Sequence, residues 1–140
     1  MATLHPYLHF DGKTEAAFNF YKSVFGGEFS GIQRYSEMPS DIPSPESDVN
    51  RIMHISLPIG KGSVLMGSDR PSSLGPGTRG DNFFISIQTS TEAEAKKIFQ
   101  SLSEGGKITM PLEKAFWGDL FGMLIDKFGV QWMVNYNYNS

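Results

Sequence analysis

Between Thr14 and Phe25 the apolar residues Ala17, Phe20, Tyr21 and Val24 follow the three-and-four spacing of a helix with one stripe on a core. Gly26-Gly27 follows, as glycine does where a chain leaves a helix through positive φ. Over residues 91–103 the template recurs at Ala95, Ile98, Phe99 and Leu102, again closed by a glycine pair, Gly105-Gly106. Thr91 followed by Glu94 has the form of a capping box. Each stripe position of the second helix lies 78 residues after one of the first. Two stripes at one offset predict an internal repeat.

The strand pattern repeats with the helices. Residues 5–10 and 83–88 alternate in character and run into the two helices. A short strand is expected after each helix, near 28–34 and near 107–110. Each half then closes with a hairpin, 52–59 with 63–68 around Gly60-Lys61-Gly62, and 121–125 with 130–136 around Lys127-Phe128-Gly129. The predicted class is α+β: two tandem βαβββ modules, 1–68 and 82–140, joined by a linker at 69–81. The modules should form an eight-stranded cup-like mixed sheet, with the helices on its outer face and a concave face free for a ligand. Residues 36–50, with three prolines and four acids, are expected to be a long loop or lid. Alternation turns Leu8, Phe10, Met53, Ile55, Leu57, Leu65, Val130, Trp132 and Val134 toward the helices. It leaves His5, Tyr7, His9, His54, Ser56, Val64, Met66, Ser68, Gln131, Met133 and Asn135 facing the cup.

Composition narrows the classes of function. Eleven Phe and 39% hydrophobic residues supply a real core. The net charge of −3 and scattered lysines point away from nucleic acid. With no cysteine in the chain, disulfides and thiolate metal sites are unavailable. No stretch approaches the roughly eighteen apolar residues of a membrane span, and residues 1–10 do not resemble a signal peptide. A cytoplasmic location is expected.

Three segments carry a resemblance. They are "LHPYLHFDGKTEAAFNFYKSVFGG", "IMHISLPIGKGSVLMGSD" and "SEGGKITMPLEKAFWGDLFGMLIDKFGVQWMVNY". Together with the paired βαβββ pattern they resemble the PhnB-like branch of the glyoxalase / bleomycin-resistance / extradiol-dioxygenase superfamily, the vicinal oxygen chelate proteins. The last segment, with Phe116-Trp117-Gly118, is the specific one. Catalytic members of that superfamily hold a divalent metal on four inward His or Glu side chains, one from the first and one from the last strand of each half. The resemblance carries these positions onto His5, Met66, Phe83 or Phe84, and Met133. The helix offset favours Phe83 and the strand alternation favours Phe84. Thioethers are poor ligands for Zn, Ni, Mg or Fe(II), residues 82–88 contain no ligating side chain, and all three histidines, His5, His9 and His54, fall in the first half. The expectation is therefore a member without the standard metal, with no cofactor and no assignable catalytic residue.

The bland and the functional interpretations stay open for each candidate. His5 and His54 are either ordinary strand histidines or polar contacts to a ligand. Met66 and Met133 either fill the former metal cavity or form an adaptable lining. Trp117, with Phe116 and Phe121, either walls the cup or packs at a subunit interface. Glu113 and Asp119 flank Trp117 without a legible acid–base pairing. The expected ligand set is His5, Tyr7, His54, Met66, Phe84, Trp117, Gln131 and Met133, around a small organic molecule. The alternative is a metal-dependent lyase, isomerase or dioxygenase with a site rebuilt from His5, His54 and an acid such as Glu37 or Asp69. The resemblance also implies a homodimer. A methyltransferase is disfavoured, because no glycine-rich strand-to-helix turn is present to hold a nucleotide-like cofactor.

Overall fold

A computed structural model describes residues 1–39 and 46–139. They form two compact units, Met1–Thr78 and Arg79–Ser140. The first contains β1 (Tyr7–Phe10), α1 (Thr14–Phe25), β2 (Gly31–Arg34), β3 (Ile52–Ile59) and β4 (Ser63–Asp69). The second contains β5 (Ile85–Thr89), α2 (Glu92–Ser103), β6 (Lys107–Lys114), β7 (Leu120–Ile125) and β8 (Gln131–Tyr136). The eight strands make two open four-stranded mixed sheets, ordered β1-β4-β3-β2 and β5-β8-β7-β6. In each, the first strand runs parallel to the last and the remaining pairs are antiparallel. This is the repeated α+β pattern the sequence predicts.

Each helix covers one face of its own sheet. On α1 the buried residues are Thr14, Ala17, Phe18, Tyr21 and Val24, so Phe18 takes the place expected for Phe20, which is only half-buried. The reason lies on the sheet. A Cβ on Gly67 would come within 2.7 Å of the Phe18 ring and 2.9 Å of the Leu8 carbonyl. The bare backbone of β4 therefore makes the recess that Phe18 fills. In the second unit Gly122 of β7 does the same for Phe99, at 2.7 Å.

Ile55, Leu57, Leu65, Trp132 and Val134 are buried as alternation requires. Met53 is an exception. A register shift opposite Gln33 and Arg34 pairs Arg34 with Ile52, so Ile52 enters the core and Met53 stays half-buried. Such a bulge reverses the side-chain alternation beyond it.

The expected capping box is present in part. Thr91 Oγ1 accepts from the Glu94 backbone N–H at 3.0 Å, while Glu94 Oε1 accepts from Ser90 N, one residue earlier than the usual partner, at 2.9 Å. Thr91→Ala should cost about 1 kcal/mol, visible as a lower urea midpoint with an unchanged slope.

The 69–81 segment is not uniformly linker. Asp69 ends β4, and Ser72–Leu74 form a 3-10 turn. The 36–50 segment begins and ends in 3-10 turns, Tyr35–Glu37 and Glu46–Asp48. The proposed lid centres on positions 40–45, outside the described residues.

Candidate functional site

The face of each sheet turned away from its helix carries most of the candidate residues, and cross-strand register arranges them in rows. In the first unit one row runs Tyr7, Met66, Ser56, Gly31. Beside it, His9 pairs with Ser68 and Gln33 with His54. The Tyr7 hydroxyl lies 3.2 Å from His54 Nδ1, and the Tyr7 ring sits between the rings of His9 and His54 at 5.4 and 5.7 Å. Tyr7 remains 43% exposed, so this cluster of three rings is open to a ligand. His5 stands just before β1. Its Nδ1 accepts from the Val64 backbone N–H at 3.3 Å, which keeps the ring proton on Nε2 and orients the imidazole. Ser56 and Ser30 join hydroxyls at 2.6 Å.

In the second unit three rows lie on the face away from α2. The first is Gln88, Asn135, Phe121, Glu113, and the second is Ser86, Met133, Met123, Met110. Gln131, Ile125 and Lys107 form the third. Trp117 packs against Phe121 with centroids 5.4 Å apart, and Phe116 against Trp117 at 4.9 Å. The tight turn 115–119 that presents them is closed by hydrogen bonds Ala115 N to Asp119 O and Gly118 N to Ala115 O, with Gly118 at φ 102°. Asn135 Nδ2 donates to Asp119 Oδ2 at 3.1 Å and to Gln88 Oε1 at 2.8 Å.

Register also decides between Phe83 and Phe84. Tyr7 pairs with Met66 and Ser86 with Met133, and the two methionines occupy equivalent strands. Ser86 is thus the counterpart of Tyr7, and Phe84, two residues earlier, the counterpart of His5. Phe84 lies outside β5, which begins at Ile85 rather than at 83. Gln131 faces as expected, but its amide is committed to the Phe83 carbonyl at 2.6 Å.

The acid proposed for a rebuilt metal site is elsewhere. Asp69 belongs to the helix side of the first sheet and is 3% exposed. Its Oδ1 accepts from the backbone N–H and the hydroxyl of Thr14, and its Oδ2 from Ile52 N. It closes the open N–H end of α1 and ties it to β3. Glu37 is held through Oε2 on the Arg34 backbone N–H. Among the described residues no three His, Cys, Asp or Glu side chains come together to hold a metal ion. The set His5, His54 with Asp69 or Glu37 is therefore corrected: one acid is spent on a helix end, and His54 is met by a phenol.

Tyr35 donates to the Asp69 carbonyl at 2.9 Å. Burial first, and then the Asp48 and Asp69 carboxylates, push its phenol above the usual range, so it keeps its proton and serves as a fixed donor.

Met110, Met123 and the hydrogen bonds that join Gln88, Asn135 and Asp119 were not part of the expected lining. The alternation of β7 and β8 carried half of that signal; the other half needs the pairing with β6.

Residues 2–135 match the family described as 3-demethylubiquinone-9 3-methyltransferase. The chain belongs to that family. Among solved structures, protein PA1353 from Pseudomonas aeruginosa is similar at a TM-score of 0.85 and 35% identity, over 98% of each chain. A PhnB protein from Bacillus cereus is similar at 0.76 and 28%, over 96% of this chain and 99% of its own. A glyoxalase/bleomycin resistance protein/dioxygenase family enzyme from Burkholderia phytofirmans shares the fold at 0.61 and 16% identity, over 94% and 95%. This 3-demethylubiquinone-9 3-methyltransferase family member is thus PhnB-like with a glyoxalase-type fold. Among its described residues, no helix is long and apolar enough to cross a membrane.

Proposed function

We propose that the protein binds a small organic molecule against a sheet face turned away from its helix, and that it does so without the superfamily's metal. On the first sheet the proposed lining is His5, Tyr7, His54 and Met66, and on the second sheet it is Phe84, Trp117, Gln131 and Met133. The observation that carries this is the register of Met66 and Met133. On the resemblance, both fall where metalloenzymes of the superfamily place a ligating side chain, and a thioether there favours an apolar, deformable contact over a hard cation. Polar contacts come from the Tyr7–His54 pair and from His5 Nε2. The family's methyltransferase description finds little support in the β1–α1 turn, Asp11-Gly12-Lys13, which has one glycine and no dinucleotide-type pattern. A second copy of this chain as partner belongs to the same proposal, on the resemblance, and light scattering at micromolar concentration tests it.

The untagged protein should contain less than about 0.1 equivalent of any divalent metal and gain no thermal stability from Mn, Ni, Zn or Fe(II). Native mass spectrometry after incubation with a metabolite extract should show a retained small molecule, weakened by Tyr7→Phe combined with Met66→Ala. Stoichiometric metal, or a retained ligand indifferent to both substitutions, would sink the proposal.

A further inference from the structure

The second sheet is graded in chemistry along its strands. Its first row, with Phe121 and Glu113, and the adjoining turn, with Trp117 and Asp119, are followed by three cross-strand thioethers, Met133, Met123 and Met110. We propose that this face takes an aromatic organic cation, its flat body on the thioethers and its positive end between the Trp117–Phe121 rings and the two carboxylates. The inference rests on the ligand-binding function proposed above and names the class of ligand.

Four features favour it. The faces of Trp and Phe rings carry the negative part of a quadrupole, and a carboxylate beside them adds full charge, a combination that selects cations. Asn135 fixes Asp119 Oδ2 by donating to it, so that carboxylate is oriented before a ligand arrives. The bases of the neighbouring strand do not cancel the charge. Lys114 pairs with Leu120, on the buried helix side, and its Nζ lies over the Tyr138 ring at 5.3 Å. Lys107 pairs with Ile125, four residues along β7 from Phe121, roughly 13 Å away at the rise of a strand. Methionine side chains are soft and adjust to a flat ring system, which explains three of them in one row better than a rigid aliphatic core would.

The test compares three probes of one shape on the full chain at low salt: 9-aminoacridine, a cation at neutral pH, acridine, which is neutral, and acridine-9-carboxylate, an anion. Calorimetric titration should show the cation binding at least about tenfold tighter than acridine, with the anion weakest. Glu113→Gln, on an exposed strand and free of core contacts, should reduce that preference severalfold. Adding Asp119→Asn should bring cation and neutral probe within about threefold while leaving acridine unchanged. Trp117 is half-exposed and Trp132 buried, so the cation should quench the fluorescence of the wild type much more than that of Trp117→Phe. Equal affinity for all three probes, or a cation preference that survives Glu113→Gln and the double substitution, overturns the charge assignment while leaving ligand binding intact. Failure of every probe to bind at millimolar concentration overturns this inference, and the metabolite-retention experiment then judges the broader function by itself.

Discussion

Asp69→Ala should destabilise the protein by about 3–5 kcal/mol. The carboxylate is acceptor for Thr14 N, Thr14 Oγ1 and Ile52 N at 3.1, 2.7 and 2.9 Å. With alanine, three donors in a region closed to water lose their partner, and each lost bond costs about 1–3 kcal/mol. Asp69→Asn keeps one oxygen but sets an amide N–H₂ against a donor, so it should fall between wild type and alanine. Guanidinium unfolding followed by circular dichroism measures all three. Hydrogen exchange adds the location, because the amides of Thr14 and Ile52 should lose protection first. An alanine variant within 1 kcal/mol of wild type would mean that water replaces the carboxylate, and that the end of α1 does not depend on it.

Trp132→Ala is the second large effect, at about 3–5 kcal/mol for an aromatic side chain deleted from a core. The indole is 1% exposed and its Nε1 donates to Asp126 Oδ2 at 2.8 Å. Asp126 Oδ1 in turn accepts from Phe128 N and Val130 N, so the indole and the β7–β8 turn share one carboxylate. Trp132→Phe retains most of the packing and gives up the charge-assisted bond, with an expected cost of about 1.5–3 kcal/mol. If phenylalanine proved as damaging as alanine, the hydrogen bond rather than the volume would dominate. If it proved neutral, Asp126 would be held by the turn alone.

The helices and the repeat were legible because local periodicity encodes them: α1 runs over the residues its stripe predicts, and α2 begins one residue after its capping threonine. Contacts between distant residues were not legible. Choosing Phe20 over Phe18 followed the helical template, and only Gly67, some fifty residues on, makes the recess that reverses the choice. Met53 was misassigned because a bulge changes alternation without leaving a mark in the sequence around it. β6 was expected only near residues 107–110, just ahead of Pro111. An edge strand tolerates proline, and this one continues to Lys114 through two register shifts. That extension brings Glu113 opposite Phe121. Met110, at the former end point, aligns with Met123 only once pairing is known. Asp69 looked like a free acid at the start of a linker, because its partner, Thr14, lies in another part of the chain.

The counterpart of Phe18 on α2 is Lys96, 78 residues later, and the counterpart of Gly67 on β8 is Val134, 67 residues later. An aromatic ring over bare backbone in one half thus answers, in the other, to an exposed lysine paired with Glu92 at 3.0 Å and to a fully buried valine. In chimaeras, α1 set on the second sheet would bring Phe18 toward Val134, and α2 set on the first would leave the Gly67 recess without its ring. Whole modules are the units that recombination could move intact.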